Sequence, residues 1–242
     1  MRGNDEYLKT INGGYKYDTH IHTSQVSSCG YVTGAAIVDY YKELGYNGLM
    51  ITDHFIGSNN FLAKDEKDWN KKVDKFLIGY YDAKQRGENI DFDVLLGMEF
   101  CYKNTEFIFT NLTVEQLYDG EKSLLNDDLI EVLQWVHNNG GFIIHVHPFR
   151  LTRGINTIRL IPDYVDAVEV FNAGNIIPWP KANAQAEYYA RQFEKKETSG
   201  SDFHNIGSAL MGGMVFPHRI QSEYEFVKAI QADDYSLITA EL

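Results

Sequence analysis

The stretch Tyr15-Lys16-Tyr17-Asp18-Thr19-His20-Ile21-His22 reads as a strand that ends in two histidines. Residues two apart on a strand point to the same face, so His20 and His22 present paired imidazoles about 6.6 Å apart along the chain, from roughly 3.3 Å of rise per residue. An amphipathic stretch over 34–44 follows, with Thr33 as its cap, and the alternation then repeats. A strand over 48–53 leads to a helix over 69–86, and a further strand covers 93–100. Residues 142–147 form a strand after a helix over 127–138, which Asn126 caps and Gly140-Gly141 stops. A strand over 165–171 leads to a helix over 181–195, and strands over 197–201, 213–216 and 235–239 complete the pattern. Residues 101–113, with Phe107, Ile108 and Phe109 between polar neighbours, read as an extra strand or hairpin. Strands alternating with helices predict an α/β fold with a mainly parallel sheet, either a closed or nearly closed barrel or an open doubly wound sheet. No repeat and no linker-like stretch divides the sequence, so 1–242 reads as one domain.

Composition narrows the partners. The 242 residues are 44% hydrophobic and 23% charged, which excludes collagen-like and broadly disordered chains. Lys and Arg number 22 against 34 Asp and Glu, a net charge of −12, so no basic surface is expected to condense onto duplex nucleic acid or an anionic membrane. Two cysteines, Cys29 and Cys101, cannot build a disulfide framework or a four-thiolate zinc site, and suit a reducing cytoplasm. The polar segment 1–10 lacks the apolar core of a signal peptide, and no run approaches the length of a spanning helix. The expectation is a cytoplasmic protein.

Of eight histidines, six fall in or just after an expected strand end: His20, His22, His54, His145, His147 and His204. They sit in Asp18-Thr19-His20-Ile21-His22, Thr52-Asp53-His54, His145-Val146-His147-Pro148 and Ser201-Asp202-Phe203-His204, and Gly97-Met98-Glu99 adds a carboxylate in the same position. Each segment alone proves little. Together, at the carboxyl ends of strands that converge on one mouth, they read as a metal cluster. Imidazole and carboxylate donors suit Zn²⁺, Mn²⁺ or Fe²⁺, and Glu99 can bridge two ions, so more than one metal is expected. Two neighbouring ions can lower the pKa of a bound water and hold a phosphoryl oxygen. Arg150, just past His147-Pro148-Phe149, stands where a guanidinium could take a phosphate oxygen bidentately, the alternative being a salt bridge. Glu169 and Asn172 could orient ligands or cap the next helix; Asp18 and Asp53 are assigned with them as hydrogen-bond partners behind the ligands.

The order His20-x-His22-Thr23, Thr52-Asp53-His54, Glu99, His147-Pro148-Phe149-Arg150 and Ser199-Gly200-Ser201-Asp202-x-His204 resembles the polymerase-and-histidinol-phosphatase (PHP) family of metal-dependent phosphoesterases. The resemblance implies a distorted seven-stranded, TIM-barrel-like (β/α) barrel with two or three divalent ions at its mouth. His20, His22, Glu99 and Asp202 would hold one ion, Glu99 and His147 would share a second, and His54 with His204 would serve a third. Relatives often carry a further His or Asp after the first His-x-His, where this chain reads Thr23-Ser24-Gln25-Val26-Ser27-Ser28-Cys29-Gly30. Cys29 could fill that place or be structural, and with two protein ligands the third ion is expected to be weak or absent. Relatives also often supply a His between the counterparts of Glu99 and His147. Here His137 lies in a helix and faces solvent, and His145 on the strand either joins Glu99 and His147 as a ligand or is a hydrogen-bond partner.

The function expected is hydrolysis of a small phosphorylated metabolite, most simply a phosphomonoester as in a histidinol phosphatase, through a metal-bound hydroxide. Loops 56–68 and 151–163 would set specificity. A barrel hydrolase of the amidohydrolase type is the first alternative, but it usually places a bridging Lys on a middle strand and none is found in a matching position. A metal-binding regulatory domain without turnover is the second.

Overall fold

A computed structural model describes residues 13–151, 157–208 and 211–239. The segment 1–10 and residues 152–156 of the loop 151–163 lie outside the described residues. The strands are β1 (Tyr15–Ile21), β2 (Gly48–Ile51), β3 (Asp93–Tyr102), β4 (Thr105–Thr110), β5 (Phe142–His145), β6 (Ala167–Asn172), β7 (Lys196–Gly200), β8 (Gly212–Phe216) and β9 (Ser236–Thr239). The helices are α1 (Gly34–Glu43), α2 (Trp69–Phe76), α3 (Ile78–Ile90), α4 (Val114–Asp119), α5 (Glu121–Leu124), α6 (Leu129–Asn138), α7 (Ala182–Gln192) and α8 (Glu223–Gln231).

The nine strands among the described residues join one sheet in the order β7-β6-β5-β4-β3-β2-β1-β8-β9. The strand count therefore corrects the seven expected, and the pairing corrects a mainly parallel sheet. Pairs β1/β2, β2/β3, β5/β6 and β6/β7 are parallel, while β3/β4, β4/β5, β1/β8 and β8/β9 are antiparallel. The cause is local at one end of the change. Lys103 and Asn104 both adopt positive φ (48° and 65°), the two-residue turn whose twist returns a strand directly beside its partner. So β4 runs back along β3 and takes the place in the sheet that a helical crossover would otherwise give to a parallel strand. At the other end β8 and β9 add antiparallel strands to the outer side of β1.

The sheet nearly closes on itself. Past β7, Phe203 pairs with Ile21 at the end of β1, with His22 N donating to Phe203 O (3.0 Å) and Phe203 N donating to His20 O (3.2 Å). Asp18 locks the same seam, its Oδ1 accepting from Ser201 N (3.0 Å) and its Oδ2 from Tyr41 Oη (2.7 Å).

Apolar residues on the outward faces of the strands hold the helices. Ile37, Val38 and Tyr41 of α1 pack on Leu49 and Ile51 of β2, and Ala83 of α3 joins them. The β3/β4 hairpin buries Phe100, Phe107 and Phe109 against α2 and α6. Ala186, Tyr189 and Ala190 of α7 cover Val168 and Val170 of β6. A further cluster takes Tyr17, Met50, Leu95, Ile108, Ile144 and Met214 from six strands and closes on Phe226 and Ile230 of α8.

Three expectations at the helices change. The single helix over 69–86 is two, α2 and α3, parted at Leu77. The cap of α6 is Asp128, whose Oδ1 accepts from Ile130 N (2.8 Å), while Asn126 accepts from Asp128 N one step earlier. Helices α4 and α8 were not anticipated, although Thr113 with Gln116, and Ser222 ahead of Glu225, carry the capping pattern that announces them. No helix among the described residues is long and apolar enough to cross a membrane.

Candidate metal centre

β1 and three of the strands that run parallel to it, β2, β5 and β7, deliver donors at their carboxyl ends. β1 ends in His20 and His22, β2 is followed by His54, β5 by His147 and β7 by Asp202 and His204, while β3 contributes Glu99 from its middle. A bridge between His54 and Glu99 sets two of them side by side. His20, His22, His54, Glu99, His147 and Asp202 are all buried. Two of these residues, His147 (φ 31°) and Asp202 (φ 59°), hold left-handed backbone, which costs on the order of 1–3 kcal/mol each and clusters where function demands a fixed side chain.

Glu99 lies at the centre. Its Oε1 is 3.4 Å from His20 Nε2 and 3.1 Å from His147 Nε2, and its Oε2 is 3.5 Å from His22 Nε2 and 2.7 Å from His54 Nδ1. Asp202 Oδ1 is 3.6 Å from His20 Nε2 and 3.2 Å from His22 Nε2. Donors held about 2.0–2.2 Å from a tetrahedral ion stand about 3.3–3.6 Å apart, so the spacings among His20, His22, Glu99 and Asp202 fit one divalent ion. The hydrogen bonding agrees. His20 Nε2, His22 Nδ1, His54 Nδ1 and Glu99 Oε2 are buried without an aligned hydrogen-bond partner among the described residues, a cost that a cation would remove. Groups of nitrogen and oxygen donors within 4.8 Å of one another include His20, His22 and Glu99; His22, Asp202 and His204; and His54, Glu99 and Glu106.

Glu169 orders this set from behind. Its Oε1 accepts from His20 Nδ1 (2.8 Å), which turns His20 Nε2 toward Glu99 and Asp202, and its Oε2 accepts from His147 N (3.0 Å) and Asn172 Nδ2 (2.9 Å). Asp18 and Asp53 touch no ligand side chain in this way. Asp18 holds the β1/β7 seam, and Asp53 accepts from Thr23 N, Thr23 Oγ1 and Ser27 Oγ, each at 2.7 Å, so it shapes the loop after His22. Arg150 spends three of its five N–H donors on the chain: NH1 on Asp202 Oδ2 (2.6 Å), NH2 on Asn172 Oδ1 (2.7 Å) and Nε on Asn175 Oδ1 (2.8 Å). His137 lies apart, 3.0 Å from Asp166.

Charges in the cluster follow from these contacts. Burial would raise the Glu99 carboxyl, but the His54 imidazole and the hydrogen bond with His147 hold it well below the usual range. Burial likewise opposes ionisation of Asp202, and the Arg150 guanidinium with His20 outweighs it. Burial dominates at His22 and pushes it down to about 3, so its ring is neutral, the form that ligates. Burial opposes the charge on His204, but Asp202 and Cys29 together outweigh it and raise the ring to about 9.

The structure separates His145 from this set. It belongs to none of the donor groups, stacks on Phe107 with ring centroids 4.9 Å apart and meets Tyr189 edge-on. The same-face argument that joined it to His147 fails because β5 ends at His145 and His147 is left-handed. Both His145 ring nitrogens are buried without a partner among the described residues. His145→Leu should therefore leave metal content unchanged and raise stability to denaturant by about 1–3 kcal/mol, the cost of an unmet buried polar group. Loss of metal in this variant would return His145 to the ligands.

Sequence reading missed Glu106. The β3/β4 register pairs it with Cys101, two residues from Glu99, and its Oε2 comes within 3.7 Å of His147 Nε2. The available signal was an acid beside the apolar run Phe107-Ile108-Phe109.

A nearly closed α/β sheet that gathers histidines and carboxylates at its strand ends sets a candidate metal-binding group at one mouth. Residues 180–235, which carry Asp202 and His204, match the PHP-associated family. The chain is similar in structure to a two-domain protein from Bacteroides vulgatus containing a predicted PHP-like metal-dependent phosphoesterase (16% identity, TM-score 0.67), with 94% of this chain covering 65% of that one. It therefore spans less than two thirds of that protein's length. A putative metal-dependent phosphoesterase from Bifidobacterium adolescentis (14% identity, TM-score 0.52) matches over 93% of this chain and 97% of its own. An amidohydrolase from Chromobacterium violaceum with bound sulfate and no metal (14% identity, TM-score 0.56) matches over 92% and 97%. No curated protein matches the sequence significantly. The family match is confined to residues 180–235, and the solved structures share the fold with this chain.

Proposed function

We propose that residues 1–242 act as a single metal-dependent phosphoesterase unit that hydrolyses a phosphomonoester of a small metabolite, with a histidinol-phosphatase-like substrate among the first to test. The observation that carries this reading is the buried donor set around Glu99 beneath a cleft of about 250 Å³ whose lining includes His54, Glu99, His147, Arg150, Arg159 and Asp202. A cleft of that size suits a small ligand. His20, His22, Glu99 and Asp202 would hold one divalent ion and Glu99 with His147 would share in a second. Such ions supply an acidified water and neutralise phosphoryl charge.

The chain's own residues do the rest. Glu169 fixes the ring of His20, and Arg150 fixes Asp202 while two N–H donors remain for an anionic substrate in the cleft it lines. Arg150 and Arg159 line the cleft together with the carboxylates of Glu99, Glu106 and Asp202, so bound divalent ions would supply the positive field that a phosphorylated ligand needs. No lysine lines the cleft among the described residues, which disfavours the amidohydrolase alternative and its bridging Lys.

The test is elemental analysis of the purified protein followed by turnover of a panel of phosphorylated metabolites. Stoichiometric Zn²⁺, Mn²⁺ or Fe²⁺ with phosphate release is the expected result. Bound metal with no turnover of any phosphomonoester would favour the regulatory alternative, and absence of metal after supplementation would remove the reading altogether.

A further inference from the structure

The loop after His22 is built to present one side chain. Ser27 N donates to Thr23 O and Gly30 N to Ser27 O, both at 3.0 Å, closing two successive turns. A side chain at Gly30 would run into the Thr23 carbonyl, so the turn requires glycine there. Asp53 ties down Thr23 and Ser27, and Ser27 Oγ in turn accepts from His54 N (3.0 Å). On either side of Cys29, Ser28 N donates to Asn60 O (2.7 Å) and Tyr31 N donates to His204 O (2.9 Å). Cys29 is thus anchored to the segments that carry His54 and His204.

Its sulfur meets the cluster. Cys29 Sγ and a ring nitrogen of each of His22 and His54 lie within 4.8 Å of one another, and the sulfur is in hydrogen-bonding reach of the His54 and His204 rings. A second observation points to a ligand at this end: His22 Nδ1 is fully buried with no hydrogen-bond partner among the described residues. His22 stacks between His54 (ring centroids 4.5 Å) and His204 (4.7 Å), so the loop faces three imidazoles.

We infer that Cys29 is a thiolate metal ligand, completing beside His54 a donor set in which every other member is nitrogen or oxygen. This rests on the metal-centre reading above and adds to it a chemical distinction between ions. A soft thiolate favours zinc over the harder Mn²⁺ or Mg²⁺ at this position, whereas the carboxylate-rich end around Glu99 and Asp202 makes no such demand. It also reverses the sequence expectation that an ion beside His54 would be held mainly by solvent.

Cobalt substitution tests it without reference to turnover. The full chain loaded with Co²⁺ should show the near-ultraviolet sulfur-to-cobalt charge-transfer band of a thiolate complex together with weaker visible bands. Cys29→Ser should abolish the charge-transfer band, lower the cobalt bound per chain and reduce retention of zinc against a manganese challenge by about tenfold or more. Cys101→Ser should keep all three, since Cys101 belongs to none of the donor groups. Cys29→His should restore metal count without the sulfur band. Visible cobalt bands in the wild type with no sulfur band would overturn the thiolate assignment and leave the metal centre standing. No cobalt binding at all would overturn both.

Discussion

Glu99→Gln should strip metal from the protein and lower phosphoester turnover by about 10³-fold or more. Glu99 is the residue that His20, His22, His54 and His147 all approach, at 3.4, 3.5, 2.7 and 3.1 Å. A neutral amide cannot neutralise a dication or bridge two, and ions at such sites supply several kcal/mol of transition-state stabilisation, which at about 1.4 kcal/mol per decade is the loss given. Elemental analysis and kcat on the same preparation make the measurement, with circular dichroism confirming the fold. Glu106→Gln is the comparison. Glu106 comes within 3.7 Å of His147, joins a single donor group with His54 and Glu99, and is less buried, so its change should be much smaller. Equal losses would mean that Glu99 holds no special place.

Arg150→Ala should lower kcat by about 10²–10³, the scale for removing one donor aimed at developing charge. Arg150→Lys should recover little of it, because the planar fork reaches Asp202, Asn172 and Asn175 at once and an ammonium cannot. Two contributions separate by measurement. Loss of the grip on Asp202 should weaken metal retention, while loss of the donors left over the cleft should raise KM for the phosphorylated substrate. An unchanged rate in Arg150→Ala would return Arg150 to a structural ion pair, further held by its stacking 5.2 Å from the Trp179 ring.

Much of this centre was legible because strand ends carry a strong signal. His-x-His has the period of a strand, and acids or histidines at the carboxyl ends of parallel strands converge whatever the exact register. What escaped depended on backbone that periodicity does not encode. His145 was joined to His147 on a two-residue rule that stops applying where β5 ends and φ turns positive. Glu106 could be placed only once the Lys103-Asn104 turn had set the β3/β4 register. Cys29 stood open because the path of its loop is decided by Asp53 and Asn60, which lie outside it in sequence. The seven strands implied by resemblance became nine for a similar reason: the hairpin strand was visible in the sequence, but its insertion between β3 and β5 is a property of the whole sheet.

The seam between β1 and β7 has a bearing on how the protein is made. Asp18 and the Ser201 amide that it accepts are 183 residues apart, and His20 meets Asp202 across the same junction. Contacts of such sequence separation form late, since chain entropy is spent before they return any stabilisation. A nascent polypeptide that has not yet released β7 thus holds His20, His22, His54 and Glu99 without Asp202 or the bonds that shut the seam. An ion bound by the closed sheet alone would act as a latch, adding to the stability of that seam in proportion to the logarithm of the free metal concentration.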